Sequence, residues 1–259
     1  MIITTGDHEA QGSVQRALQI AAGTGLRYVR RSGLSLSKLR KKYNDPDILI
    51  VLENGIRIAG EDGEPMFFHP SMSFVRAKRL LKGGKDLMLE AAGVVPGDRI
   101  IDCTAGLGAD SIIFSMGSGP LGEVVSLESS FPLYMLLREG LASYHSGLKE
   151  FDEALSRIEV RHGHHLDWLK QMPDQSADIV YFDPMFREPT TESSSISPLR
   201  SYANLDQISL EAIAEARRVA RKAVVLKEKR DSGEFTRLGF DLPDRSRSKI
   251  TYGVMRLDS

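Results

Sequence analysis

In the stretch "YFDPMFREP" (Tyr181–Pro189) an acid, Asp183, a rigid Pro184 and an aromatic Phe186 close an apolar run. A turn alone would need only the proline. A carboxylate and a backbone carbonyl can together accept both N–H bonds of an amine attached to a ring. That draws the lone pair out of conjugation and turns a poor nucleophile into a usable one. Proline has no N–H and a fixed φ, which suits a loop that presents a carbonyl. A phenyl face on which a flat base stacks is worth ~1–3 kcal/mol. The carboxylate also steadies positive charge as it develops on nitrogen, where a preorganised acceptor is most effective. The plain alternative is a strand-ending turn with Phe186 folded into the core.

A second constellation precedes it. "IIDCTAGLGADS" ends a strand in Asp102 and passes through Thr104, Ala105, Gly106 and Gly108 into a helix. Small residues let backbone approach a ligand, and the helix N-terminus offers unpaired N–H groups. The dinucleotide fingerprint G-x-G-x-x-G would need glycine at position 111, where Ser111 stands. The next strand, "GEVVSLE", ends in Glu128, about 20 residues beyond Gly108, where a carboxylate can accept both hydroxyls of a ribose. The glycine loop, Glu128 and Asp183 together are far more specific than any of them alone.

The elements that must position these residues follow from periodicity. Residues 1–68 read as a small α/β subdomain: a strand "IITT", a helix near Gln11–Ala22, "LRYVR", a basic helix near Ser35–Tyr43, and the strands of "DILIVLENGIRIA". Asn54-Gly55 predicts a hairpin with a type I′ turn. A helix is expected over Met72–Leu81, broken at Gly83-Gly84, and another in "DLMLEAAG", closed by Gly93. Residues 69–259 form the main domain. From Asp98 strands and helices alternate: "RIIDCTAG", "EVVSLES", "RIEVRHG", "ADIVYFDP" and "KAVVLKEK" are strands, with helices between them and a long one over Leu205–Arg221. Two more strands are expected near Phe235–Phe240 and Ser248–Arg256. The fold class is therefore α/β, a doubly wound, mostly parallel, seven-stranded sheet, with ligands at the carboxyl ends of its strands.

Composition narrows the class. The chain has 259 residues, a net charge of −1 and one cysteine, Cys103, which excludes an internal disulfide and a cysteine-built zinc site. No apolar run approaches the roughly 20 residues of a membrane span, and the N-terminus lacks signal-peptide features. A cytoplasmic protein is expected. Charge is uneven: residues 1–93 hold 14 Lys+Arg and 10 Asp+Glu, a net of +4 that leaves −5 for the rest. Arg27–Lys42 and Arg76–Lys85 contain no acid. Such runs are either solvated helix faces or surfaces that meet phosphate. Arg76, Lys78, Arg79 and Lys85, with Lys227 after the fifth strand, are the candidate nucleic-acid contacts. His164 and His165 invite a metal reading, but adjacent histidines should point apart, and no metal is expected.

The glycine loop lies near the acid-x-G-x-G-x-G loop of methyltransferases, with Thr104 in place of the first glycine. On "DCTAGLGADS", "YFDPMF", the "VVLK" strand and "SKITYG", the chain resembles class I S-adenosylmethionine-dependent methyltransferases, and within them the ribosomal RNA small subunit methyltransferase J family. The resemblance runs from about His69 to the end. It implies a Rossmann-like fold, S-adenosyl-L-methionine as cofactor, and methylation of guanine N2 in small-subunit ribosomal RNA. Ribosomal RNA or the small ribosomal subunit is the implied partner. Carried over residue by residue, it implies cofactor contacts at Ala109, Asp110, Glu128, Ser129, His164, His165 and Asp183. The family usually has a basic residue where Ala109 and Ser129 stand, Ser-Ser at His164-His165, and "KRP" where "KEK" (Lys227–Lys229) stands. Another amine, on adenine, a protein side chain or a small molecule, would suit the same chemistry. A non-catalytic nucleotide binder would have no use for the amine clamp.

Overall fold

The computed structural model describes residues 1–60, 65–185, 201–241 and 249–257. Phe186 therefore lies outside the described residues. The chain divides into two compact units.

The first unit comprises Met1–His69 with residues 135–144 and Tyr202. Its strands are β1 (Ile2–Thr5), β2 (Arg27–Tyr28), β3 (Ile48–Leu52), β4 (Gly55–Ala59) and β5 (Met66–Phe67), in the order β2-β1-β3-β4-β5. β1 runs parallel to β2 and β3, while β4 and β5 continue antiparallel. Helix α1 (Gln11–Thr24) joins β1 to β2, and α2 (Leu36–Tyr43), capped by Ser35, joins β2 to β3. The core on one face is Ile2, Val29, Leu39, Ile48, Ile50 and Ala59. The β3–β4 hairpin pairs Leu52 with Gly55 around Glu53-Asn54. It is not the type I′ turn expected. That turn needs positive φ at both central residues, whereas here neither has it and the positive φ (135°) falls on Gly55.

The second unit holds Pro70–Tyr134 and the described residues of 145–192 and 203–259. Its strands are β6 (Arg99–Asp102), β7 (Glu123–Glu128), β8 (Ile158–His162), β9 (Ala177–Phe182), β10 (Ala220–Lys229) and β11 (Ile250–Arg256), ordered β11-β10-β9-β6-β7-β8. All neighbours are parallel except β10 and β11. β9 is buried at every position, as a central parallel strand covered on both faces must be. The helices are α3 (Ser71–Leu81), α4 (Leu87–Ala92), α5 (Ala109–Ser118), α7 (Lys149–Ser156), α8 (His165–Gln171), α9 (Leu210–Val219) and α10 (Glu234–Leu238). α6 (Phe131–Ser143) begins in this unit and continues in the first.

Three sequence expectations change. Phe235–Leu238 lie in α10, and the expected strand over 235–240 is absent, so the sheet has six strands among the described residues. Phe235 and Leu238 are buried three apart, and glycines with φ of 76° and 78° bracket the turn. The helix expected over Leu205–Arg221 is Leu210–Val219, begun by the Ser209 cap, and β10 starts directly at Ala220. α7 was not anticipated at all.

Candidate active site

The chain crosses from one half of the second sheet to the other at β6, between β7 and β9. The carboxyl ends of those strands therefore converge, and they carry Asp102, Glu128 and Asp183. Asp102 is buried; it accepts the Thr104 amide (3.1 Å) and the Ser111 hydroxyl (2.5 Å), which in turn accepts from Ser126 (2.8 Å). Burial pushes its carboxyl up to about 7 despite those bonds. Thr104 also ties the two loops together, because its hydroxyl accepts the Asp183 amide at 2.6 Å.

The loop after β6 turns through Gly106 (φ 54°) and Gly108 (φ 76°), conformations that favour glycine. Gly108 caps α5 and Ala109 is its first residue. A Cβ at Gly106 would meet nothing within 4 Å, so the loop faces open space there. Ala105 donates its amide to the Leu127 carbonyl. Glu128 holds the loop from β7: one carboxylate oxygen accepts the Gly106 amide (2.8 Å), the other the Ser130 amide (2.7 Å). Each oxygen keeps a second lone pair, the acceptor set that the two donating hydroxyls of a ribose diol require. Burial raises the Glu128 carboxyl, and the backbone amides oppose it. A glycine loop open in front, beside a carboxylate with acceptor capacity left, fits the nucleoside part of S-adenosylmethionine.

Just past β7, the Ser129 carbonyl lies 3.2 Å from the ring of His162, the last residue of β8. His164 caps α8 through its ring nitrogen. The His164 and His165 rings stack at 4.1 Å and do not point apart as expected, because the helix start holds one while the other packs edge-on to Phe182. Burial, then His164, pushes His165 down to about 4, so it is neutral at pH 7. Among the described residues no three metal-ligating side chains cluster.

Asp183 follows β9, with Pro184 next. Its Oδ2 accepts the Lys227 ammonium at 2.7 Å, and the same ammonium reaches Asp110 at 2.9 Å. Burial raises the Asp183 carboxyl to about 6, with Lys227 opposing and Asp110 adding to the shift. Burial would lower the Lys227 ammonium, but the two carboxylates outweigh it and hold it charged. Lys227, a candidate substrate contact by sequence, is a half-buried bridge between two acids.

Asp110 also departs from the expected cofactor contact. It is buried, and its oxygens are taken by Arg76 (2.5 Å), Tyr181 (2.6 Å) and Lys227. These cations keep it ionised, overcoming burial and holding its carboxyl well below the usual range. Arg76, placed by sequence on a phosphate-facing surface, is turned inward from α3. It grips both oxygens of Asp86 (2.8 and 2.9 Å) as well as Asp110, because a guanidinium fork matches carboxylates. The other basic residues do face solvent: Lys78 lies 4.2 Å over the Phe74 ring, Arg79 reaches Asp86 at 3.3 Å, and Lys85 pairs with Glu90. Sequence reading missed Tyr181, Asp86 and Ser111. Tyr181 carried a signal, a hydroxyl inside an apolar run, and Asp86 carried one as the cap of α4, but neither signal named its distant partners.

Comparison with known proteins agrees with this geometry. Residues 37–237 match the model of the family described as "Putative SAM-dependent methyltransferase". The uncharacterized protein YpiP of Bacillus subtilis is 39% identical over 98% of this chain and 99% of its own. The ribosomal RNA small subunit methyltransferase J of Cellvibrio japonicus is 31% identical over 49% of this chain, a match that spans 50% of that protein. A SAM-dependent methyltransferase from Neisseria gonorrhoeae shares the fold, with a TM-score of 0.65 at 18% identity, covering 99% of this chain and 96% of its own. The chain belongs to the S-adenosylmethionine-dependent methyltransferase family, and S-adenosyl-L-methionine is its cofactor.

Proposed function

We propose that this enzyme methylates the exocyclic N2 of a guanine in small-subunit ribosomal RNA. The observation that carries the reading is the placement of Asp183-Pro184 at the sheet crossover, beside the glycine loop and Glu128. Relatives named ribosomal RNA small subunit methyltransferase J support the substrate class.

When bound, S-adenosylmethionine supplies a methyl group made electrophilic by its sulfonium. Glu128 and the loop through Asp102, Thr104, Ala105, Gly106 and Gly108 hold the nucleoside part, with Ala109, Ser129, His164 and His165 along its edge. Asp183 takes one N–H of the amine at the oxygen Lys227 leaves free, and the Pro184 carbonyl takes the other. The Lys227 charge favours the Asp183 carboxylate over its acid, so the acceptor is ready near neutral pH. Phe186, from the sequence pattern, gives the base a stacking face. Positioning supplies most of the rate, and the base must leave its stack to arrive. Lys78, Arg79 and Lys85 are the candidate phosphate contacts.

The test compares small-subunit rRNA from a deletion strain and its parent by nucleoside mass spectrometry. One N2-methylguanosine should vanish in the deletion strain, return with the wild-type gene, and stay absent with Asp183→Asn. An unchanged rRNA modification profile would overturn the substrate.

A further inference from the structure

The first unit carries a ligand-shaped constellation of its own. Its parallel strands run β2-β1-β3, so the chain leaves β1 toward β2 on one side and later returns to β3 on the other. Ligands of such sheets bind at the strand carboxyl ends beside that reversal. Thr4 and Thr5 end β1 there, and Gly6 opens the loop to α1. The β1–β2 register, continued by the Val29 amide on the Ile3 carbonyl, brings Arg31 to the same end.

The donors at this end outnumber their partners. Helix α1 has 14 residues, no side-chain cap from Ala10 and no acid in its first turn. The amides of Gln11, Gly12 and Ser13 consequently have no partner within the helix. Arg31 is 7% exposed; its Nη2 reaches Asp7 in this loop at 2.8 Å, while Nε and Nη1 are buried with no partner among the described residues. The Thr4, Thr5 and Tyr28 hydroxyls are likewise buried and unpartnered among the described residues. Native structures rarely leave buried donors unmet, because each one costs stability. The acids of the two loops are partly neutralised: Glu9 accepts the Ser32 amide (2.9 Å) and pairs with Arg30 (3.5 Å). Asp7 is mostly exposed and occupies only one nitrogen of Arg31.

We propose that the β1–α1 loop, with Thr5 and Arg31, is a binding site for a phosphate group; Thr4, its neighbour in β1, faces the other side of the sheet. A guanidinium fork, a hydroxyl donor and an uncapped helix N-terminus are the set that recognises a tetrahedral oxyanion. The site belongs wholly to the first unit and does not depend on the methyl acceptor proposed above.

Inorganic phosphate is titrated into the full-length protein, at constant ionic strength against chloride, while the arginine Nε–Hε resonances and the thermal midpoint are followed. One arginine resonance should shift saturably and the midpoint should rise; Arg31→Met should abolish both effects. Thr5→Val should weaken phosphate by about tenfold, the loss of one hydrogen bond to a charged group. If Arg31→Met fails to fold, Arg31→Lys, which keeps charge without the fork, replaces it. A short single-stranded RNA, titrated in parallel, identifies the source of the phosphate. RNA binding weakened by the same variants assigns a phosphodiester; RNA binding unchanged while phosphate binding is lost assigns a small phosphorylated ligand. No saturable phosphate response in the wild type, with equal RNA affinity in the variants, overturns the site.

Discussion

Asp183 and Lys227 lie 2.7 Å apart, and that ion pair opposes the burial that raises the carboxyl of the proposed amine acceptor. Asp183→Asn keeps the shape but replaces an acceptor oxygen with a donor. Methyl transfer should fall at least ~100-fold, the effect of losing one preorganised electrostatic partner. Cofactor affinity, measured by calorimetry, should change by ~10-fold at most, the worth of a single hydrogen bond. Lost turnover together with wholly lost cofactor binding would make Asp183 a cofactor residue only. The pH profile gives a second check. With its carboxyl at about 6, Asp183 is anionic above that pH and protonated below it. Single-turnover rates should therefore drop as pH falls through about 6, approaching tenfold per unit. Lys227→Met removes the opposing cation, so the acid limb should move to higher pH, and Lys227→Arg should move it back. A limb that stays fixed in Lys227→Met would separate Lys227 from the chemistry. On the β7 side, Glu128→Ala should weaken S-adenosylmethionine in calorimetry; equal binding would refute the ribose contact.

At the scale of elements, α3 has two faces with different work. Its inner residue Arg76 neutralises Asp86 and Asp110, and removing one partner of a buried pair strands the others. Arg76→Met should cost about 3 kcal/mol in urea unfolding. The outer face should behave oppositely: replacing Lys78, Arg79 and Lys85 together should leave stability nearly unchanged, weaken RNA binding and reduce its salt slope. An unchanged slope would return those residues to a solvated face. The sequence distinguished these faces poorly for a physical reason. Arg76 reaches acids 10 and 34 positions away, and Lys227 reaches one 117 positions away. Such pairings exist only once the sheet has formed. Strand and helix order was readable because β9 and the Ala223–Leu226 centre of β10 are apolar runs and Ser35, Asp86 and Gly93 mark helix ends locally. Residues 235–240 misled because Phe235, Leu238 and Phe240 suit either period over so few positions. In α7 the buried Phe151, Ala154 and Leu155 do carry the helical spacing, but among four charged residues the stripe is thin. The convergence of Gly106, Glu128 and Asp183 was legible because each stands at or just past the carboxyl end of its own strand. The site was opaque where long side chains cross between elements.

For the whole molecule, the two proposed ligand sites can be told apart by where each ligand protects the backbone. S-adenosylmethionine at 100 times its dissociation constant adds about 2.7 kcal/mol to the state that binds it. At roughly 2–4 °C per kcal/mol for a domain of this size, the midpoint of the unit carrying the cofactor should rise by roughly 5–10 °C. Hydrogen exchange should then slow at the Gly106 and Ser130 amides, which the Glu128 carboxylate already holds. Phosphate, if Arg31 and α1 take it, should instead slow exchange at Gln11, Gly12 and Ser13, whose amides lack partners inside their helix. Glu128→Ala should remove the first pattern and keep the second, and Arg31→Met should do the reverse. Protection by S-adenosylmethionine that appears at Gln11–Ser13 and not at Gly106 would move the cofactor out of the β6–β7 crossover. It would also refute the assignment of Glu128 and the glycine loop in one measurement.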